Sequence, residues 1–408
     1  MSTLARAASI EDLRQLARRR LPRVIFDFID GGAGNERTLR DNQQAFDAWQ
    51  LMPRVGVDVS GRSLATRIVG HDSSLPLILG PTGLAGLYWP GGEMAAASAA
   101  KAAGIPFCLS TNSVASIEEV AAAVPGGDRW FQLYIMKDRA LTDALLERAA
   151  RTGYRVLCVT VDLPIQGKRD RDVRNAFTVP LRPRPGTILD VASRPRWLYG
   201  LLRSPVKFGN FVGAEPKGFT SIAKLVGTLF DPTADWDDIA RIREKWKGPV
   251  VIKGVLHPDD ARRAVDIGCD AVIVSNHGGR QLDQVPASVA ALPAVVEAVG
   301  GRAEVILDSG IRRGTDILVA RALGASACMI GRAFLWGLAS GGTAGVTRTI
   351  DILREELDNA MALLGQRKFV DVDRHAAVRA EGQRHLGTTR PQCEVNPNSV
   401  RPTLAPGQ

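Results

Sequence analysis

Four consecutive residues, His277, Gly278, Gly279 and Arg280, follow directly on a short apolar run, Ala271 to Val274, with Ser275 and Asn276 between. The run is β-branched and reads as a buried strand. Its tip therefore carries a base that titrates near neutral pH, two residues that let backbone approach a ligand, and a guanidinium shaped to grip a carboxylate with two parallel hydrogen bonds. A strand end with a hydrogen-bonded histidine in a turn is the bland alternative. It does not explain why base, glycines and arginine share one tip. Asp162, with Thr160 on the same strand face, is a carboxylate able to orient such a histidine. Gln132 and Tyr134 share a face by strand alternation, which core packing does not require of a glutamine. Lys253 ends another apolar run, where it could form a Schiff base or stabilise an anion.

These residues need elements that bring them together. Eight apolar runs recur with helical patterns between them: Leu75–Leu79, Pro106–Leu109, Trp130–Ile135, Val156–Val161, Val250–Lys253, Ala271–Val274, Glu304–Leu307 and Ala327–Ile330. Strand alternating with helix predicts an α/β fold with a parallel sheet, and eight units predict a closed (β/α)8 TIM barrel, whose site lies at the C-terminal strand ends. Those ends carry Pro81, Thr82 and Gly83, Ser110, Gln132 and Tyr134, Thr160 and Asp162, Lys253, Ser275 and His277, Asp308 to Gly310, and Gly331 with Arg332. The last two units, DSGIRRG at 308–314 and IGRAF at 330–334, sit where such barrels often bind phosphate, with Arg312 and Arg332 to complement it.

Residues 8–30 open with Ser9 and Asp12 in capping-box spacing and continue as a helix; a second helix follows within 35–60. This N-terminal extension is expected to plug the barrel bottom and send one residue over the top. Ser116 opens a helix with another capping box. Residues 165–234 form a long insertion after the fourth strand, and a loop of that length is usually functional. Within it, residues 182–217 carry seven Arg or Lys against two Asp or Glu around RPRWLYGLLR. Arg194, Arg196 and Arg203 flank Trp197, Leu198, Tyr199, Leu201 and Leu202, a pattern that suits an anionic membrane surface or, alternatively, a lid with a small core of its own. One domain is expected over 1–372, with a closing helix at 344–366 and a disordered polar tail over 373–408.

The chain has 408 residues, of which 45% are hydrophobic, and a formal net charge of +9. No nucleic-acid module accompanies that charge, so no nucleic-acid partner is expected; phosphate, carboxylate and anionic lipid are the better readings. Five scattered cysteines, Cys108, Cys158, Cys269, Cys328 and Cys393, show no paired spacing and read as reduced core residues. No signal peptide and no membrane-spanning run is visible, which predicts a cytoplasmic protein, peripheral at most on the inner face of the cell membrane. No metal site is expected.

SNHGGRQLD, with DSGIRRGTD, FQLY and TVD around it, resembles the FMN-dependent 2-hydroxy acid dehydrogenase and oxidase family, which includes glycolate oxidase, flavin-type lactate dehydrogenase and mandelate dehydrogenase. The resemblance covers roughly residues 10 to 370 and is nearest to mandelate dehydrogenase. It implies FMN at the strand ends and, position by position, His277 as base paired with Asp162, Arg280 and Arg169 on the substrate carboxylate, and Tyr134 on a substrate oxygen. It also implies Lys253 beside the flavin N1 side. Pro81, Thr82, Gly83, Ser110, Gln132, Thr160, Ser275, Asp308, Ser309, Gly310, Arg312, Gly331 and Arg332 match the cofactor-binding positions. The implied activity is oxidation of an L-2-hydroxy acid, with electrons passed to a quinone or another carrier, in a homo-oligomer that by resemblance is a tetramer.

Two positions depart from the family pattern. Phe28 stands where a tyrosine hydroxyl commonly reaches the carboxylate, leaving Arg280 and Arg169 to carry more of the grip. Asn112 stands where glycolate oxidase-like members have a tryptophan, which together with Gly83 opens space for a bulky, mandelate-like side chain that Phe28 would help line. Gly83 and Ser309 favour the dehydrogenase branch. Two other chemistries fit parts of the pattern: a soluble oxidase that passes electrons to oxygen and releases peroxide, and a Schiff-base lyase using Lys253. A phosphate-binding barrel without catalysis needs no histidine beside Arg280.

Overall fold

A computed structural model describes residues 3–178, 185–211 and 230–380. Eight parallel strands close into a ring: β1 (Leu77–Leu79), β2 (Phe107–Ser110), β3 (Arg129–Leu133), β4 (Val156–Thr160), β5 (Val250–Val255), β6 (Ala271–Val274), β7 (Glu304–Asp308) and β8 (Ala327–Ile330), with β8 pairing back onto β1. All eight expected runs are strands, so the (β/α)8 barrel is the fold. The runs are apolar throughout because a parallel strand in a barrel is buried on both faces. One face, with Ile78, Trp130, Val251, Ile273, Ile306 and Met329, fills the barrel interior. The alternate residues, such as Leu109, Phe131, Val159 and Val272, pack against the surrounding helices.

The barrel bottom is closed by a hairpin that the periodicity did not reveal, Thr66–Ile68 paired with His71–Ser73. It puts Ile68 and Val69 among the interior residues. The N-terminal helices go elsewhere. The helix expected over 8–30 is two, Ile10–Arg20 and Arg23–Asp30, broken at Leu21–Pro22 because proline lacks the amide the helix interior requires. The first, capped reciprocally by Ser9 and Asp12, packs on the closing helix Arg332–Leu364. The second leads onto the C-terminal ends of the strands, where Ala33 N–H donates to Gly279 O at 2.8 Å. There Asn42 and Asn276 exchange two amide hydrogen bonds of 2.8 and 2.7 Å. The extension thus plugs the bottom only through its hairpin, while its helices cover the top.

The described part of the insertion forms three short helices, Asp170–Arg174, Pro185–Ala192 and Pro195–Arg203, and a 3-10 turn at Gly209–Phe211. Trp197 is buried and donates from Nε1 to Leu87 O at 2.9 Å, and Leu198 and Leu201 are partly covered. These three are turned inward, so the outward apolar face is Ile188, Leu189, Tyr199 and Leu202. Residues 182–184 and 212–217 of the basic stretch lie outside the described residues. The boundary expected at 372 falls short: Ala377–Arg379 is a strand paired antiparallel with Trp49–Leu51. Residues 381–408 lie outside the described residues.

Candidate active site

The tip of β6 owes its shape to three consecutive left-handed residues, His277 at φ 56°, Gly278 at 65° and Gly279 at 70°. A Cβ at Gly278 would come within 2.5 Å of Arg332 Nη1, and one at Gly279 within 2.7 Å of Leu39 N, so glycine is demanded twice. His277 pays a left-handed strain that a non-glycine residue tolerates only when held. Its N–H donates to Ser275 Oγ at 3.0 Å, and Gly278 N–H donates to Ser309 Oγ at 3.0 Å.

The imidazole is fixed from both sides. Nδ1 lies 2.8 Å from Asp162 Oδ1, and Nε2 lies 3.5 Å from the Tyr134 hydroxyl. Asp162 fits against β5 because that strand bulges: its register shifts between Lys253 and Val255, and Gly254, at φ 106°, leaves the space that a Cβ would take 2.6 Å from Asp162 Cβ. Burial lowers the His277 pKa, with Asp162 opposing it and Lys253 and Arg169 adding to the fall. Burial pushes the Asp162 carboxyl up, but His277 and Lys253 outweigh it and the net shift is down. The pair is thus a neutral imidazole on an ionised carboxylate, a base whose protonated form has its counter-charge in place. Burial raises the Tyr134 pKa, which keeps the phenol a hydrogen-bond donor.

Arg280 and Arg169 stand beside this base. Arg280 Nη1 donates to Phe28 O at 2.8 Å and Gly31 O at 3.1 Å, and the guanidinium lies 5.0 Å from the Phe28 ring centre. Arg169 lies 5.8 Å from the same ring, which stacks on Phe177 at 4.2 Å between centres. Arg169 reaches only Arg280 O at 3.4 Å and Asp172 at 3.6 Å. Burial, reinforced by Arg280, depresses its pKa to about 9. Two guanidiniums face one cavity with Asp172, at 3.6 Å from Arg169, the nearest carboxylate, an arrangement that suits a bound anion. Phe28 thus lies beside both clamp arginines, as its place at the family tyrosine position implied, and lines the same cavity as Gly83 and Asn112.

Lys253 Nζ lies 3.0 Å from both Asp308 Oδ2 and Ser275 Oγ, and Ser275 donates to Asp308 at 2.6 Å. Burial works against its charge, but Asp308 and Asp162 outweigh that and raise its pKa. A lysine paired at 3.0 Å with a carboxylate that favours the ammonium is a poor Schiff-base nucleophile, which counts against the lyase alternative.

The residues above line one cavity of about 560 Å³ at the C-terminal strand ends, within the range of small-molecule and cofactor sites. Phe28, Pro81, Thr82, Gly83, Ser110, Asn112, Tyr134, Arg169, Lys253, His277, Arg280, Asp308, Ser309, Gly310, Arg312, Gly331 and Arg332 reach its wall. Gln132, Thr160, Asp162 and Ser275 stand directly behind it. Gln132 Oε1 accepts from Ser110 Oγ at 3.2 Å, while its Nε2, like Thr160 Oγ1, is buried without a partner. An unpaired amide and hydroxyl suit the polar edge of a flavin ring, since buried polar groups otherwise go to partners. At the other end Gly331 caps the helix Arg332–Leu364, a place for phosphate. Burial lowers the pKa of Arg312 to about 10 and that of Arg332 well below its usual value, with Arg280 adding to the latter. On this wall Arg169, Arg280, Arg312, Arg332 and Lys253 outnumber Asp172 and Asp308, a balance that a phosphate and a carboxylate would even. Arg332 also ties loops together, donating to Ile29 O, Gly278 O and Gly31 O at 3.0, 2.8 and 2.7 Å.

Sequence reasoning passed over Asp172, Phe177, Phe208 and Phe230, which also line the cavity. Asp172 had a signal, its i,i+3 spacing from Arg169. Phe230 lies 4.7 Å from the Tyr134 ring, a contact across distant segments that no local pattern announces.

A family model described as FMN-dependent dehydrogenase matches residues 17–379. The L-lactate dehydrogenase of Caulobacter vibrioides is 44% identical over 370 residues, covering 90% of this chain and 96% of that protein. The L-lactate dehydrogenase of Xanthobacter autotrophicus is 46% identical over 377 residues, covering 91% and 96%. Among solved structures, the monotopic membrane protein (S)-mandelate dehydrogenase superposes with a TM-score of 0.87 at 37% identity, covering 92% of this chain and all of that one. Mandelate oxidase with (S)-2-phenylpropionate gives 0.78 at 37%, covering 92% and 99%.

Proposed function

The chain belongs to the FMN-dependent dehydrogenase family, whose members here oxidise L-2-hydroxy acids, and on that premise we propose how its own residues divide the work. The observation that carries the reading is His277 held between Asp162 and Tyr134 with two under-compensated arginines beside it. Arg280 and Arg169 bind the substrate carboxylate and fix which face of the substrate carbon meets the cofactor. His277 Nε2 takes the proton released as the alcohol becomes a ketone, and Asp162 stabilises the imidazolium that results. Tyr134 donates to the substrate oxygen. FMN, when bound, would supply the acceptor for the two electrons and the second hydrogen. Gln132, Thr160 and Lys253 would hold its ring, and Ser309 to Arg312 with Gly331 and Arg332 its phosphate. Anaerobic mixing with a panel of L-2-hydroxy acids tests the reading: the flavin absorbance should bleach with at least one, and no bleaching with any would overturn it.

The relatives named for lactate and the neighbours named for mandelate differ in the side chain they accept. Gly83 and Asn112 stand against one another in the cavity wall, with a Cβ at 83 only 3.3 Å from Asn112 Cβ. Two small residues there support a bulky, mandelate-like substrate, and kcat/KM for mandelate above that for lactate and glycolate is the expected order.

The electron acceptor is a quinone or another carrier at an anionic membrane. Ile188, Leu189, Tyr199 and Leu202 are exposed beside Arg194, Arg196 and Arg203, and Asp190 of the same segment accepts from Arg23 N at 2.5 Å, which adds the basic end of the first helix to the patch. Each basic residue near such a surface contributes about 1 kcal/mol. No helix among the described residues is long and apolar enough to cross a membrane. Leu189→Asp with Leu202→Asp should abolish sedimentation with anionic liposomes while sparing flavin reduction. Rapid reoxidation by air with peroxide release would make the protein an oxidase. A homo-oligomer, by resemblance a tetramer, is the expected assembly, measurable by light scattering.

A further inference from the structure

The two clamp arginines are held very differently. Arg280 grows from a barrel strand tip and is pinned by two backbone carbonyls. Arg169 sits on the insertion, immediately before the helix Asp170–Arg174, which has five residues and buries none of them. Packing therefore contributes little to holding that helix in place. Arg169's own contacts are long, 3.4 Å to Arg280 O and 3.6 Å to Asp172, and its neighbour Arg280 repels it.

What fastens the helix is charge. Arg171 Nη2 lies 2.6 Å from Glu36 Oε2, and Nη1 lies 3.0 Å from Asp30 Oδ2 and 3.5 Å from Asp27 Oδ1. Asn175, one residue past the helix, donates to Asp27 Oδ2 at 2.8 Å. The acidic side is itself anchored, since Asp30 is buried and takes a 2.6 Å bond from Arg14 on the first helix. Glu36 accepts from Gly32 N at 3.0 Å. The bond set is thus a fork of one arginine into three carboxylates, partly shielded from water, the arrangement in which ion pairs are strongest and most directional.

We propose that Arg171 is a positioning residue: by fastening the insertion to Asp27, Asp30 and Glu36 it holds Arg169 in the substrate clamp against the repulsion of Arg280. The proposal rests on the reading that Arg169 and Arg280 bind the substrate carboxylate. Its consequence is a split in the kinetics. Once the fork is lost, Arg169 withdraws toward solvent and the carboxylate is gripped by one arginine instead of two. Substrate binding weakens, while the base and its carboxylate partner, on separate elements, are untouched.

The test compares holoenzyme variants Arg171→Met, Arg171→Lys and Glu36→Gln with the wild type. Arg171→Met should raise KM for the best hydroxy acid about tenfold or more, as expected for losing a charge-assisted grip. Maximal flavin reduction should stay within about twofold and FMN content should not change. The Kd of oxalate, an anion with no reactive hydrogen, read from the flavin spectrum, should rise in parallel. Arg171→Lys should recover part of the loss, because a point charge meets one carboxylate and not three. Glu36→Gln should move KM in the same direction by less. An unchanged KM and oxalate Kd in Arg171→Met overturn the proposal, as does a fall in maximal reduction that matches the rise in KM. If Arg171→Met does not fold, Glu36→Gln decides: a KM and oxalate shift with maximal reduction preserved supports the proposal, and its absence overturns it. A wild type that no hydroxy acid reduces overturns instead the reading on which the proposal rests.

Discussion

The same eight strands end in opposite chemistry. At the bottom of the barrel the hairpin 66–73 brings Ile68 and Val69 against Trp130, Val251 and Ile306, an apolar contact that fills the ring. At the top, Gln132 Nε2 and Thr160 Oγ1 are buried without partners, His277 and Ser309 are left-handed, and Arg169, Arg312 and Arg332 are buried with their charge disfavoured. Strain and unmet polarity gather at the top, where a ligand can use them; the bottom has Val69 at φ 48° in its hairpin turn and Arg129 Nε buried without a partner among the described residues, neither of them lining the cavity. The contrast teaches that the two ends answer to different demands: the bottom holds the ring shut, and the top stores unpaired groups that ligands complete.

That division predicts which substitutions separate rate from stability. His277→Gln should leave folding and FMN binding intact and slow flavin reduction by at least ~10²-fold, the low end for a general base; reduction near the wild-type rate would sink the assignment. Ile68→Ala should do the reverse, lowering unfolding free energy by about 2–5 kcal/mol in a denaturant titration while the reduction rate holds. A rate loss equal to that of His277→Gln would erase the distinction between the ends. Asn112→Trp should cost mandelate about tenfold in kcat/KM relative to glycolate, by filling the space beside Gly83. Equal loss for both acids would place the side chain elsewhere. The smallest effect is in pH. Because burial lowers the His277 pKa from 6.5, the base stays unprotonated to lower pH than a free histidine. The acid limb of kcat/KM should therefore lie below 6.5, activity falling as pH drops through it, and a limb above pH 7 contradicts the geometry.

Much of the top was legible in the chain and little of the bottom. His277 and Arg280 are adjacent in sequence, and the strand-end polar residues are displayed by the alternation of each run, so local pattern sufficed. The hairpin at 66–73 is two three-residue strands with exposed and buried positions mixed, too short for any period to show. The stacking of Phe28 on Phe177, 149 positions away by number, and its place beside two arginines from separate elements are contacts that no local pattern announces. Trp197 was offered to lipid or to a lid core on composition; its indole N–H found a carbonyl, Leu87 O, on the short helix Ala85–Tyr88 after the first strand, which composition does not see. The Arg171 fork was invisible for the same reason, since its carboxylates come from the first 36 residues.

The paired amides of Asn42 and Asn276 close a span of 234 positions, and the last strand must then find the first, Cys328 beside Leu77, before the ring exists. Contacts this distant form late, after the intervening chain has been gathered in. An unfinished or truncated polypeptide that already contains His277 still lacks the neighbours that shape its turn, the arginine that ties the surrounding loops and the helix end that receives phosphate. A chain cut short after His277, or one that has lost residues 1–36, is for that reason expected to leave the site unassembled, and flavin reduction near the wild-type rate by either would contradict it.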